Sequence, residues 1–204
     1  MPTLLKNTTS PFARIAHAAL IEAAVPDLAV RIVDQWNDDP VLLAANSAGR
    51  VPCLVLEDRT AIAECLLIAR HAGLAGAAPP FPRDEDPHIL ALAGLALGIC
   101  DAAVQTLVGR RIVSGNFTDT AFDAGGIGIR RRRAMVDGLA QLDARIAETP
   151  GERLDLATLG AVTALDYVGL RFPDAGWIPS TPRLERLCAV TAERPALRDT
   201  KPFL

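Results

Sequence analysis

The spacing of apolar residues changes along this chain, and the change divides it. At the start the runs are short and punctuated. Thr3 to Lys6 fits a strand, and Asn7-Thr-Thr-Ser10 is a polar turn. Pro11 suits the first turn of a helix, where its missing N–H costs nothing, and Ser10 is the natural N-cap. Phe12, Ile15, Ala16, Ala19, Leu20 and Ala23 recur at helical spacing until Val25-Pro26. Leu28 to Val33 alternates as a second strand. Trp36 to Pro40 is a loop, and Val41 to Ala45 a short helical turn. Val51-Pro52 leads into a strand at Cys53–Leu56. Glu57-Asp58-Arg59 turns the chain, Thr60–Ala63 returns, and Glu64–Ala72 is a helix ended by Gly73. The order is βαβ, a short helix, then ββα.

Leu74 to Pro87 carries four prolines, small residues and a burst of acid, which marks a linker. Beyond it no strand pattern is convincing. His88–Val113, Ile129–Ala147, Asp155–Leu170 and Leu184–Glu193 read as helices, the third apolar enough to be buried on all sides. The prediction is α/β plus all-α. A small α/β domain spans 1–75, a linker 76–87, and a C-terminal helical bundle domain 88–204.

Composition narrows the function. With 204 residues, half of them apolar, the chain can bury a real core. A net charge of −3 gives no reason to expect nucleic acid or an anionic membrane as partner. The N-terminus lacks the basic start and apolar core of a secretion signal. No uninterrupted apolar run reaches the roughly 20 residues of a spanning helix. Cys53, Cys65, Cys100 and Cys188 lie far apart, as reduced thiols of a cytoplasmic protein would. His17, His71 and His88 make no ligand pattern, so no metal site is expected.

Three places could carry chemistry. Ser10, with Thr9 beside it, sits at a helix start. Backbone N–H groups there favour an anion, and a hydroxyl could donate to a thiolate. The residues alone favour an ordinary cap. Glu64-Cys65 opens a helix directly after a strand, where open α/β sheets gather ligands, or it is plain charge compensation of the helix end. Asn46-Ser-Ala-Gly-Arg-Val-Pro52 is a turn running into a strand. X-Pro bonds are cis in only about 5–6% of cases, so the dipeptide by itself favours trans. Asp155, with Leu154 and Leu159 at the staple positions, is folding information. Arg130–Arg133 is a solvated face, because four successive helix residues point in different directions. Gly125-Gly-Ile-Gly128 follows no strand and is no phosphate loop.

Taken together these segments resemble the glutathione S-transferase superfamily, in its YibF-like bacterial branch. Thr9-Ser-Pro-Phe-Ala-Arg14 is similar to its first loop and helix. Asn46–Pro52 is similar to its NPxGxVP turn, Glu64-Cys65 to its Glu/Asp-Ser pair, Asp155–Arg171 to its buried helix, and Arg194–Pro202 to the branch's tail. The resemblance implies a thioredoxin-like first domain, a homodimer, a cis bond before Pro52, and glutathione as co-substrate with no other cofactor. The backbone of Val51, ahead of Pro52, would pair with the cysteinyl part of glutathione. Glu64 and Cys65 would hold its γ-glutamyl end, with Phe12 and Arg50 also in the site. Ser10, or else Thr9, would stabilise the thiolate. That thiolate would attack a small apolar electrophile lodged between the domains. Cys65 departs from the usual serine, and a thiol donates poorly. A cysteine there could be partly exposed and capture a thiol as a mixed disulfide. A glutathione-binding protein with little turnover, or a thiol reductase, are the competing expectations.

Overall fold

The computed structural model describes residues 1–77, 86–151 and 154–203. The expected linker falls mostly on 78–85, outside the described residues. The chain divides into two compact units. One comprises Met1–Asp84, Pro150–Asp155 and Thr191–Leu204, and the other Glu85–Thr149 and Leu156–Val190.

The first unit is a thioredoxin-like mixed sheet with its helices. Strands β1 (Thr3–Lys6), β2 (Ala29–Ile32), β3 (Cys53–Val55) and β4 (Ala61–Ala63) stand in the order β2-β1-β3-β4. β1 runs parallel to β2 and antiparallel to β3, and β3 pairs antiparallel with β4. Leu4 and Leu54 face each other in register and are fully buried, so the two central strands anchor the core. β2 is an edge strand, largely exposed. Helix α1 (Pro11–Glu22) packs on α3 (Cys65–Ala75). Leu42 of the short α2 (Pro40–Ala45) joins a buried cluster with Leu5, Ala13, Val33, Val51 and Cys53.

α3 does not stop at Gly73. It runs on to Ala75, and Gly76 caps it through its N–H to the Ala72 carbonyl at 2.9 Å. Glycine inside a helix costs only about 1 kcal/mol, so it is a weak stop. Gly76 is the demanding position, because a Cβ there would lie 2.1 Å from the Ala23 carbonyl oxygen. The tail also belongs to this unit. Its short helix α8 (Pro195–Arg198) packs on α1, and its Leu197 carbonyl accepts from the buried Arg14 guanidinium at 3.3 Å. Glu22 of α1 accepts from Arg194 at 2.9 Å and from the Leu154 N–H at 3.2 Å.

The second unit is helical. α4 (Pro87–Ser114) packs against both α5 (Gly126–Arg145) and α6 (Leu156–Arg171). α6 is buried along nearly all its length, as its composition predicts. α4 has the length and mean hydropathy (1.7 over 18 residues) of a spanning segment, yet one side of it is buried against its two neighbours, the place of a core helix. A 3-10 turn at Ala121–Ala124, absent from the sequence expectation, joins α4 to α5, and α7 (Pro182–Thr191) follows α6.

Candidate functional site

The sheet register gathers the sequence candidates. Leu5 of β1 lies opposite Cys53 of β3, and Cys53 lies opposite Ala63 of β4. The loop after β1, the turn before β3 and the residue after β4 therefore leave the sheet at the same end. With strands about 4.8 Å apart, all three start within about 10 Å of one another. Ser10, Val51-Pro52 and Glu64-Cys65 are thus presented together, although they are far apart in sequence.

Ser10 is the N-cap of α1, and its Oγ accepts from the Ala13 N–H at 3.2 Å. That contact occupies a lone pair and leaves the hydroxyl proton available to donate. Asn7 shapes the loop, its Oδ1 accepting from the N–H groups of Ser10 (2.7 Å) and Thr9 (3.2 Å). The sequence marks Asn7 as a turn residue, but nothing in it announces the hold on the N–H groups of Thr9 and Ser10. Thr9, Ser10 and Phe12 are all half-buried.

The Val51–Pro52 bond is cis, against the preference of the dipeptide alone. Val51 is buried in the cluster around Leu42, and the strand ladder begins only at Cys53. With the side chain committed to the core, the main chain is what this residue can offer a ligand. The turn ahead of it is held by Asn46, whose Nδ2 donates to the Arg50 carbonyl at 2.9 Å, and by Gly49, which takes the left-handed conformation (φ 62°).

Glu64 carries φ 71°, a value that non-glycine residues adopt only at a cost. It stands at the N-cap of α3 but caps nothing with its side chain. Its carboxylate is exposed and pairs with Arg50 at 2.8 Å, a partnership the sequence does not announce. The first N–H groups of α3 point out beside it, as at any helix start, and favour an anion. An ammonium facing Glu64 and a carboxylate facing the helix end would both be satisfied here.

Cys65 corrects one expectation. It is 5% exposed, and burial, reinforced by the Glu64 charge, pushes its thiol up to about 12. It stays protonated at neutral pH and is a poor nucleophile, so capture of a thiol as a mixed disulfide is disfavoured. Cys53 is fully buried and its thiol is also raised, as a packing residue should be. Elsewhere on α1, burial and the neighbouring Lys6 ammonium pull His17 down to about 4, against the opposing charge of Asp199. Among the described residues no group of His, Cys, Asp and Glu is placed to hold a metal.

Residues 9–74 match the family model described as glutathione S-transferase, N-terminal domain. The chain is 24% identical, over 98% of both sequences, to the uncharacterized GST-like protein YibF of Escherichia coli K12. A glutathione S-transferase from Methylobacterium radiotolerans, solved in complex with glutathione sulfonate, is 27% identical. It superposes over all of this chain and 95% of its own with a TM-score of 0.86. One from Methylobacillus flagellatus, solved with glutathione bound, is 25% identical over the whole of both chains, with a TM-score of 0.81.

Proposed function

Because the chain belongs to the glutathione S-transferase superfamily, we propose that it binds glutathione at the sheet end just described and conjugates it to a small apolar electrophile. The reading is carried by the convergence of Ser10, Val51 and Glu64 through the register Leu5–Cys53–Ala63. Glutathione and its sulfonate in the two structural relatives support it.

In this proposal the Glu64 carboxylate and the start of α3 take the γ-glutamyl ammonium and carboxylate. Arg50 then shares Glu64 with the ligand. The Val51 main chain pairs with the cysteinyl residue. The Ser10 hydroxyl keeps its cap and donates its proton to the cysteinyl sulfur. Each pKa unit of lowering corresponds to about 1.4 kcal/mol. A hydrogen bond to a charged group is worth about 1.5–3 kcal/mol, enough for about one to two units. Once the thiol proton has passed to water, the thiolate forms a bond to carbon; a haloarene then loses halide with its electron pair, whereas an enone moves its π electron pair to the carbonyl oxygen and takes a proton from water. A homodimer is part of the same proposal, checked by light scattering.

A glutathione-binding protein with little turnover is the second reading, and Cys65 favours it, since a buried thiol is a weaker donor than serine's hydroxyl. Thiol reduction through a protein cysteine is disfavoured, because both cysteines near the site are buried with raised thiols. Calorimetry on the reduced protein is the first test. No heat of glutathione binding rejects both remaining readings. Binding without turnover, across haloarene and enone electrophiles, selects the second.

A further inference from the structure

The net charge of −3 hides an uneven distribution. Residues 106–136 carry six arginines and two aspartates. That stretch is the end of α4, the 3-10 turn and the start of α5, and these three elements pack on one another. A Cβ on Gly109 of α4 would strike the Phe122 ring, and one on Gly128 of α5 the Phe122 carbonyl oxygen, each at 2.3 Å. Both helices therefore close on the same aromatic residue. Around that seal the exposed surface is apolar. Ile112 and Val113, about one turn past Gly109, are 79% and 58% exposed, and Ile127 and Ile129, on either side of Gly128, are 65% and 55% exposed. Single exposed aliphatic residues are ordinary, but four at one end of a helix hairpin form a patch.

The charges set among them are only partly compensated. Arg110 grips the Asp123 carboxylate with two donors, Arg131 pairs with Asp101, and Arg132 donates to the Asp123 carbonyl. Arg130 and Arg133 are different. They are exposed and in no ion pair among the described residues. Three apart, they are neighbours on the face of α5 opposite the buried Gly128, Met135 and Leu139. Ile127 and Ile129 flank them there. α5 has no acidic residue in its first turn, so the positive end of its dipole adds to the same sign. An aliphatic patch threaded with unpaired arginines suits the boundary of an anionic lipid leaflet, where headgroups take the guanidinium charges and the acyl region takes the aliphatic side chains. A second copy of this chain would set the same arginines against each other. An acidic protein would meet the charges, but the isoleucines would need a groove besides. We infer that this end of the α4–α5 hairpin is a docking surface for anionic phospholipid membranes.

The test is co-flotation of the full chain with vesicles of phosphatidylcholine, alone or with about 30 mol% phosphatidylserine. The chain should float with the anionic vesicles and far less with the neutral ones. A basic residue at such a surface adds about 5-fold to partitioning, so Arg130→Gln with Arg133→Gln should weaken anionic binding by about 25-fold. Raising the salt to about 0.5 M should weaken it too. Ile127→Ser with Ile129→Ser should cost about 10-fold or more at unchanged charge. All four positions are exposed, so the thermal melts should hardly move. Ile112→Ser with Val113→Ser repeats the test from α4, and serves if an α5 pair fails to fold. Binding to neither vesicle, equal binding to both, or binding indifferent to the arginine and aliphatic pairs would overturn the inference. So would light scattering in which the aliphatic pairs set the oligomeric mass, or capture by soluble poly-glutamate that depends on the same isoleucines, since the face would then belong to a second copy or to an acidic protein. Loss of glutathione binding alone would reject the proposed function and leave this result standing.

Discussion

Ser10→Ala separates a role the structure shows from one that the proposed function adds to the same oxygen atom. The first is structural. Ser10 Oγ caps α1 through the Ala13 N–H at 3.2 Å. Loss of such a cap costs about 1 kcal/mol. In a chain of this size that lowers the melting temperature by about 2–4 °C. The second role, the proposed one, is electrostatic and would appear only with glutathione bound. A cysteine thiol ionises near 8.5 unaided. A donated hydrogen bond of about 1.5–3 kcal/mol lowers that by about one to two units, to about 7.5–6.5. Removing the donor raises the bound thiol back toward 8.5, so the deficit appears at low pH and fades at high pH. At pH 6.5 the thiolate fraction falls by about 10- to 50-fold, whereas at pH 9 it falls by less than about 1.5-fold. The assay is kcat/KM for conjugation across pH 6 to 9, with the ultraviolet absorbance of the bound thiolate titrated in parallel. Wild-type and variant profiles that run parallel, with one apparent pKa, refute the assignment of Ser10. The same experiment on Thr9→Ala then decides whether its neighbour holds the role.

Other outcomes follow from the same geometry. Glu64→Gln breaks an exposed ion pair worth little to folding, so the melt should hardly move, while glutathione affinity by calorimetry should drop about 10-fold or more; unchanged affinity would remove Glu64 from the site. Cys65, its thiol pushed up to about 12, should resist alkylation at pH 8 in the folded protein and react once denaturant is added; rapid labelling of the native chain, read by mass spectrometry of its peptides, would contradict the burial. His17 is depressed from 6.5 to about 4, so the unfolded chain binds its proton more readily. Its contribution to stability is therefore present above pH 6.5 and is lost as pH falls toward 4. Urea midpoints measured from pH 7 to 4 should show that loss, and His17→Gln should flatten it.

The local features were legible in the sequence. Apolar spacing marked α1 and the buried α6, Pro11 after Ser10 marked a capped start, and turn residues marked the β3–β4 hairpin. Those signals lie within a few residues of one another, so a single stretch carries them. What escaped depends on partners far apart. Nothing near Arg50 shows that it meets Glu64, and nothing near Arg110 shows that Asp123 will take both its donors. Gly76, where α3 ends, is set apart from Gly73 only by a long-range neighbour, the carbonyl of Ala23 just past the end of α1. The positive φ of Glu64 has no signature at all in a residue type that normally avoids it.

Glu22 has one further consequence. Its carboxylate, 9% exposed, receives both Arg194 and the Leu154 N–H. The sheet-bearing unit of this protein is therefore stitched from three pieces, one of them encoded between the helices that interrupt it and one after them. An engineer who excises the first 84 residues as a module removes the closing stitches. A nascent chain on the ribosome faces the same delay, because that unit can be finished only after Arg194 has been made.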